Sequence, residues 1–167
     1  MEKIDRTPTP LTFNGALESG VRAVLALYAC YPAGLDLQRI TAMDYLMVRT
    51  SLLDGPSDLH PGTPVMTPVT QVRRKTVQDG LHLMMSRDLV SQSATSHGIY
   101  FTAGDNSALF VDCLQSFYLQ QLKERAEWLT SYFQSYNDED FDGLMRDLLT
   151  NWISEFQDES VSAGALQ

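Results

Sequence analysis

The chain has 167 residues, 44% of them hydrophobic and 20% charged, which suits one domain or a compact pair of small ones and excludes a disordered polyelectrolyte. No uninterrupted apolar run approaches the ~18 residues of a membrane span, and MEKIDRTPTPLTF lacks the apolar centre of a secretory signal, so a cytoplasmic protein without a membrane partner is expected. The net charge of −9 is unevenly placed: residues 1–90 hold nine acids and nine bases, whereas residues 91–167 hold twelve acids against only Lys123, Arg125 and Arg146. An acidic second half repels phosphate, so nucleic acid would approach only from the N-terminal side.

Residues 1–12, with Pro8 and Pro10, read as an extended arm. A first helix follows from about Gly15 to Tyr31, with Leu17, Val21, Val24, Leu25 and Tyr28 on the stripe of a helix packed on one side. Pro32 and Gly34 end it, and Asp36 is placed to cap a second helix, because its carboxylate accepts from the free N–H groups of the first turn. That helix, DLQRITAMDYLMVRTSLL, is apolar over more than half its circumference, so it is either central or partner-facing. The connection Asp54–Pro68 contains four prolines and two glycines and cannot be regular structure.

A third helix is expected over about Val69 to Asp88, with Val77, Leu81, Met84 and Met85 inward; Gly80 interrupts it at some cost in propensity, as it would where another backbone passes close by. Two short strands around a turn at Ser96–Gly98 come next. Helix, helix, helix and hairpin make a mainly α (α+β) winged-helix-like domain over 13–104, the hairpin being the wing. The remainder, 105–157, reads as C-terminal helices: one capped by Asp105 or Asn106 and running through about Phe133, and one opened by NDED at 137–140 and carrying Phe141, Leu144, Leu148, Trp152 and Phe156. The tail 158–167 is expected to be disordered.

Chemistry is sparse. There is no phosphate-binding glycine loop, no HExxH and no GxSxG, so no catalytic residue, metal or cofactor is expected. Asp54, Asp58 and His60 are the residues nearest to a metal-ligand set, but polar residues in a proline-rich loop need no metal to explain them. His82 reads as a surface or packing residue and His97 as a turn residue. Cys30 and Cys113 sit in apolar helical patterns and read as small buried hydrophobes in a reducing compartment.

Two surfaces remain. Arg73, Arg74 and Lys75 open the third helix, with Arg87 further along, and face either a partner or DNA. A DNA-reading helix-turn-helix joins its helices by three or four residues rather than about fifteen, and DNA binders are basic, so the partner reading is preferred. Tyr45, Trp128, Tyr132, Phe141, Trp152 and Phe156 are the candidate protein interface, since large aromatics are enriched where proteins meet.

FNGALESGVRAVLALYACYPAGLDLQRITAMDYLMVRT, DGPSDLHP, VRRKTVQDGLHLMMSRDLV and GIYFTAG together resemble the middle component of bacterial ABC three-component systems, most closely the small subunit of Lamassu-type antiphage defence. The resemblance covers roughly residues 13–130. It implies a winged-helix accessory subunit similar to those of SMC complexes, which bind protein rather than read bases. It also implies an SMC-like ATPase and an effector, often a nuclease, as separate subunits, with DNA met only through the complex. A non-enzymatic adaptor holding the effector in check is therefore expected; the alternative is a winged-helix transcription regulator using the same third helix.

Overall fold

The computed structural model of the chain describes residues 15–60 and 71–148. The expected arm, part of the proline-rich connection, Trp152, Phe156 and the expected tail lie outside the described residues. The elements are α1 (Ala16–Ala29), α2 (Leu37–Leu46), a 3-10 turn (Thr50–Leu53), α3 (Gln71–Met85), β1 (Val90–Thr95), β2 (Gly98–Ala103), α4 (Ser107–Cys113) and α5 (Phe117–Tyr132), followed by helical residues 138–148, here α6. The described residues are mainly helical with one small antiparallel hairpin, a winged-helix-like arrangement of the α+β class. No described helix is long and apolar enough to cross a membrane.

Local chemistry explains most boundaries. The Asp36 carboxylate accepts from the Arg39 N–H at 2.8 Å and opens α2. Asn137 and Asp140 bond reciprocally, the Asn137 side chain accepting from the Asp140 N–H at 2.8 Å, and open α6. In the hairpin, Gly98 takes φ +123° after a two-residue turn, a conformation that side chains resist. The Thr95 hydroxyl braces that turn, accepting from the His97 N–H and donating to the Gly98 carbonyl. Leu35 pairs with Phe101 on the other edge of β2, which ties the α1–α2 turn to the wing.

Three expectations change. The second helix ends at Leu46 rather than running to Leu53, because Arg49 leaves helical geometry and the Thr50 hydroxyl bonds the Pro56 carbonyl at 2.6 Å. The single helix expected from Asp105 or Asn106 to Phe133 is two: Leu114 is extended, and Ser116 caps α5 by accepting from the Leu119 N–H. Asn106 does stand before α4, but its side chain donates to the Arg87 carbonyl instead of capping. Finally, α1 is not packed on one side. Leu17 and Tyr28 are exposed while Arg22 is 2% exposed, and Ala23 through Leu27 are buried all round. The physical cause is its position: α2, α3, α4, α5 and β2 all pack against it. One hydrophobic cluster runs from α1 and α2 through α3 and the hairpin to α5 and α6.

Candidate functional site

The three consecutive cations that open α3 do three different things. Arg73 turns inward and bonds the Asp44 carboxylate through Nη1 at 2.5 Å. The other oxygen of Asp44 accepts from Arg22 Nε at 2.7 Å, and Arg22 also donates to the Ser19 hydroxyl. One carboxylate, 1% exposed, thus serves two guanidiniums from α1 and α3 and locks those helices to α2. The Tyr45 ring lies between Arg73 and Arg49, their guanidinium carbons 5.2 and 5.6 Å from its centroid. Lys75 points outward but is paired with Asp79 one turn on, at 2.9 Å. Arg74 is exposed and, among the described residues, has no ion-pair partner. Arg87 is exposed just beyond the end of α3.

Beneath the Asp54–His60 loop the ionisable residues are dispersed. Asp58 accepts from the Ser51 N–H, Asp54 closes the 3-10 turn with φ 55°, and His60 bonds the Tyr118 hydroxyl at 2.6 Å with the two rings stacked. Among the described residues no group of three metal-ligating side chains forms. The His60 pKa lies below its ordinary value, first because the ring is buried and then because Arg22 and Arg49 are near. Arg125 reaches across from α5 to the Ser57 carbonyl at 3.0 Å and pins the same loop.

Arg74 borders a groove of about 500 Å³ between α3, the start of α2 and the inner face of the hairpin. The register pairs Gln92 with Phe101 and Ala94 with Ile99, so these side chains share one face of the wing. Leu37 and Ile99 supply the apolar surface of its floor, above Leu81 and Phe101, which belong to the core. Arg74, Gln78 and His82, at i, i+4 and i+8 on α3, form one rim; Gln38, Gln92 and His97 contribute to the other side. The lining holds one carboxylate, Asp36, whose oxygen is engaged at the cap of α2. The groove is thus lined by one guanidinium, Arg74, one carboxylate, Asp36, and the two imidazoles of His82 and His97. Gln78, His82, Gln92 and His97 escaped sequence reasoning as a set. The polar spacing on α3 is visible in the sequence, but the hairpin's approach to it is not.

Of the aromatic residues proposed as an interface, Tyr45, Trp128, Tyr132 and Phe141 are described, and these are held within the fold to different degrees. Tyr45 and Phe141 are 5% and 2% exposed and belong to the core. Trp128 lies over Gly55 and stacks on Tyr132 at 5.3 Å; Tyr132 stacks on Tyr136, and Phe133 meets Phe141 edge-on. Hydrogen bonding with Tyr136 pushes the Tyr132 hydroxyl up to about 12. These rings weld α5 to α6 and to the loop, and Arg39 covers Phe141 at 4.5 Å. Among the described residues the most exposed large apolar side chains are Phe117 and Leu109, at 79% and 72%. Cys113 is exposed at the end of α4, against expectation, because that helix lasts only two turns and its last residue clears the core; Cys30 is half-buried, and burial raises its thiol pKa.

A family model described as ABC-three component (ABC-3C) system Middle Component 2 matches residues 12–155. The match extends beyond the stretch that carried the resemblance and takes in the end of α5 and all of α6. No protein of curated function and no solved structure matches the chain.

Proposed function

We propose, since the chain belongs to the Middle Component 2 family of ABC three-component systems, that it is the non-enzymatic adaptor between an SMC-like ATPase and an effector nuclease, as in Lamassu-type antiphage defence. Membership in that family makes it a middle component with partner subunits; the identity of the partners, the bridging and the restraint of the effector are the reading advanced here. The observation that carries it is the family match over residues 12–155, nearly the whole chain.

The geometry supports a binding role in a specific way. The buried ionisable groups of the first three helices, Arg22, Asp44 and Arg73, are consumed in pairing with one another. The groove beside Arg74 has the anatomy of a docking site, an apolar floor that supplies affinity and an amide-rich rim that supplies direction. Because α3 is tied to α2 through Asp44 and packed closely on α1, a force applied in the groove is borne by the whole core. ATPase rearrangement would loosen this subunit's hold on the effector through that rigid element.

Affinity purification of the chain expressed from its own operon tests the reading. An ATPase and a second protein recovered in fixed ratio support it; a lone monomer or homodimer overturns it. One observation favours a second reading, a DNA-binding regulator: Arg74 and Gln78 stand beside the wing, where a winged helix meets the major groove. A shift of its promoter DNA that survives about 150 mM salt would select that alternative, since contacts made only to phosphate weaken steeply with salt.

A further inference from the structure

We infer that the open edge of β1 is the docking site of a second copy of this chain, the two β1 strands pairing antiparallel about a two-fold axis at Ser93 to give a four-stranded sheet.

The hydrogen bonds of β2 show which groups β1 leaves unused. Phe101 exchanges both backbone bonds with Leu35, at 2.9 and 2.8 Å, so its N–H and C=O point away from β1. Its partner across the hairpin is Gln92, which therefore turns its own N–H and C=O away from β2, to the outer edge. The alternation of an antiparallel ladder gives Ala94 the same orientation. Ser91 through Thr95 are all exposed, so this edge is open to solvent on both faces of the strand. Such edges are ordinarily closed by a charge, a proline, a bulge or extreme shortness. VSQSAT has no charge and no proline, its register to β2 runs one to one, and six residues is an ordinary strand length.

The side chains favour a copy of the same strand as the occupant. With the axis at Ser93, Gln92 and Ala94 of one copy face Ala94 and Gln92 of the other, and every outward N–H of these residues meets a carbonyl. On one face Ser93 meets Ser93 and Ser91 meets Thr95, so each of these pairs joins two hydroxyls. On the groove face the longest side chain of the strand lies against the shortest, Gln92 against Ala94. No pair sets like charges opposite one another, although the chain carries −9. A foreign strand is selected through pockets for its alternate side chains, and Ser91, Ser93 and Thr95 are too small to build one.

The axis is normal to the sheet, so the grooves beside Arg74 lie on the same face of the paired sheet, and the dimer presents its proposed docking site twice. A contact confined to one strand a side is at the small end of specific interfaces, so a dissociation constant of roughly 10–100 μM is expected.

The test uses the full-length chain, purified alone and studied above that range, with Cys113→Ser to remove the exposed thiol. In a non-hydrogen-bonded pair the Cα atoms lie about 4.5 Å apart, within disulfide reach, so Ser93→Cys should close a covalent dimer under mild oxidation that the Cys113→Ser parent does not. Ser91→Cys alone should not, because it faces Thr95, but an equal mixture of Ser91→Cys and Thr95→Cys chains should. Gln92→Pro removes an N–H that β2 does not use, and Ala94→Lys places a charge on the edge. Each should lower the Ser93→Cys crosslink about ten-fold, with far-UV circular dichroism checking that the fold survives. Crosslinking by Ser91→Cys alone as strong as by Ser93→Cys would overturn the inference. So would a crosslink indifferent to both edge substitutions, or sedimentation as a monomer at every concentration. Each readout needs only the purified chain, so failure to copurify an ATPase leaves the pairing untouched. A monomer here leaves the adaptor reading standing, and a wing-paired dimer that carries partner subunits satisfies both.

Discussion

Gly20 of α1 and Gly80 of α3 meet with no side chain between them: a Cβ built on Gly80 would lie 2.7 Å from the Gly20 nitrogen and 2.6 Å from the Ala16 carbonyl oxygen. The backbones of the two helices touch there, and Met84 closes the contact from above. This explains why a glycine is present in the middle of α3 despite its helix propensity.

Gly80→Ala in an ordinary helix would gain about 1 kcal/mol of stability. Here the added methyl strikes backbone, which cannot rotate away, so a loss of roughly 1–3 kcal/mol is expected instead. Urea unfolding of the two proteins side by side gives the sign directly, and a stabilised variant would contradict the close crossing.

Asp44→Ala removes the single carboxylate shared by Arg22 and Arg73 and leaves two buried cations facing each other. Breaking a buried pair in this way costs about 3–5 kcal/mol, a fall in Tm of roughly 10 °C or more for a chain of this size. Arg73→Ala should be milder, about 1–3 kcal/mol, because Asp44 keeps Arg22. Differential scanning calorimetry orders the three proteins.

Arg74→Glu is the opposite case. The side chain is exposed and unpaired among the described residues, so its Tm should stay within about 0.5 kcal/mol equivalent of the parent. Recovery of partner subunits in a pull-down should fall at least five-fold, whereas Lys75→Glu, outside the groove lining, should leave it unchanged. Equal recovery with both variants would remove the groove from the docking face.

His60 predicts a pH dependence. Its pKa in the fold is depressed below the 6.5 of the free side chain, by burial first and then by Arg22 and Arg49. The unfolded chain therefore takes up a proton before the folded chain does, and stability present above pH 6.5 is lost as the pH falls from there towards the folded pKa. His60→Gln should flatten the stability profile across that interval; a slope equal to that of the parent would assign the effect to other groups.

Much of this molecule is legible one element at a time. Asp36, Pro32 and Gly98 mark boundaries because their chemistry acts over three or four residues, and the NDED start of α6 is legible for the same reason. The hairpin follows from Ile99, Tyr100 and Phe101 beside a permissive glycine. The short breaks after Leu46 and at Leu114 were not legible, since each depends on a side chain, Thr50 or Ser116, choosing a backbone partner over helix continuity.

The order of helices and hairpin, the charge division and the caps are written in residues close together along the chain, whereas the need for Gly80 comes from Ala16 and Gly20 on another helix. The orientation of Arg73 and Arg74 is not local either. Neighbours on a helix point about 100° apart, and which of them faces the core depends on Asp44, a residue 29 positions away on another helix. The aromatic rings show the same limit: Tyr45 and Phe141 have the composition of an interface, yet Arg39, Arg49 and Arg73 cover them within the fold. Composition states what surface a chain can bury, whereas the packing of one helix on another decides which part of it stays free to meet a partner.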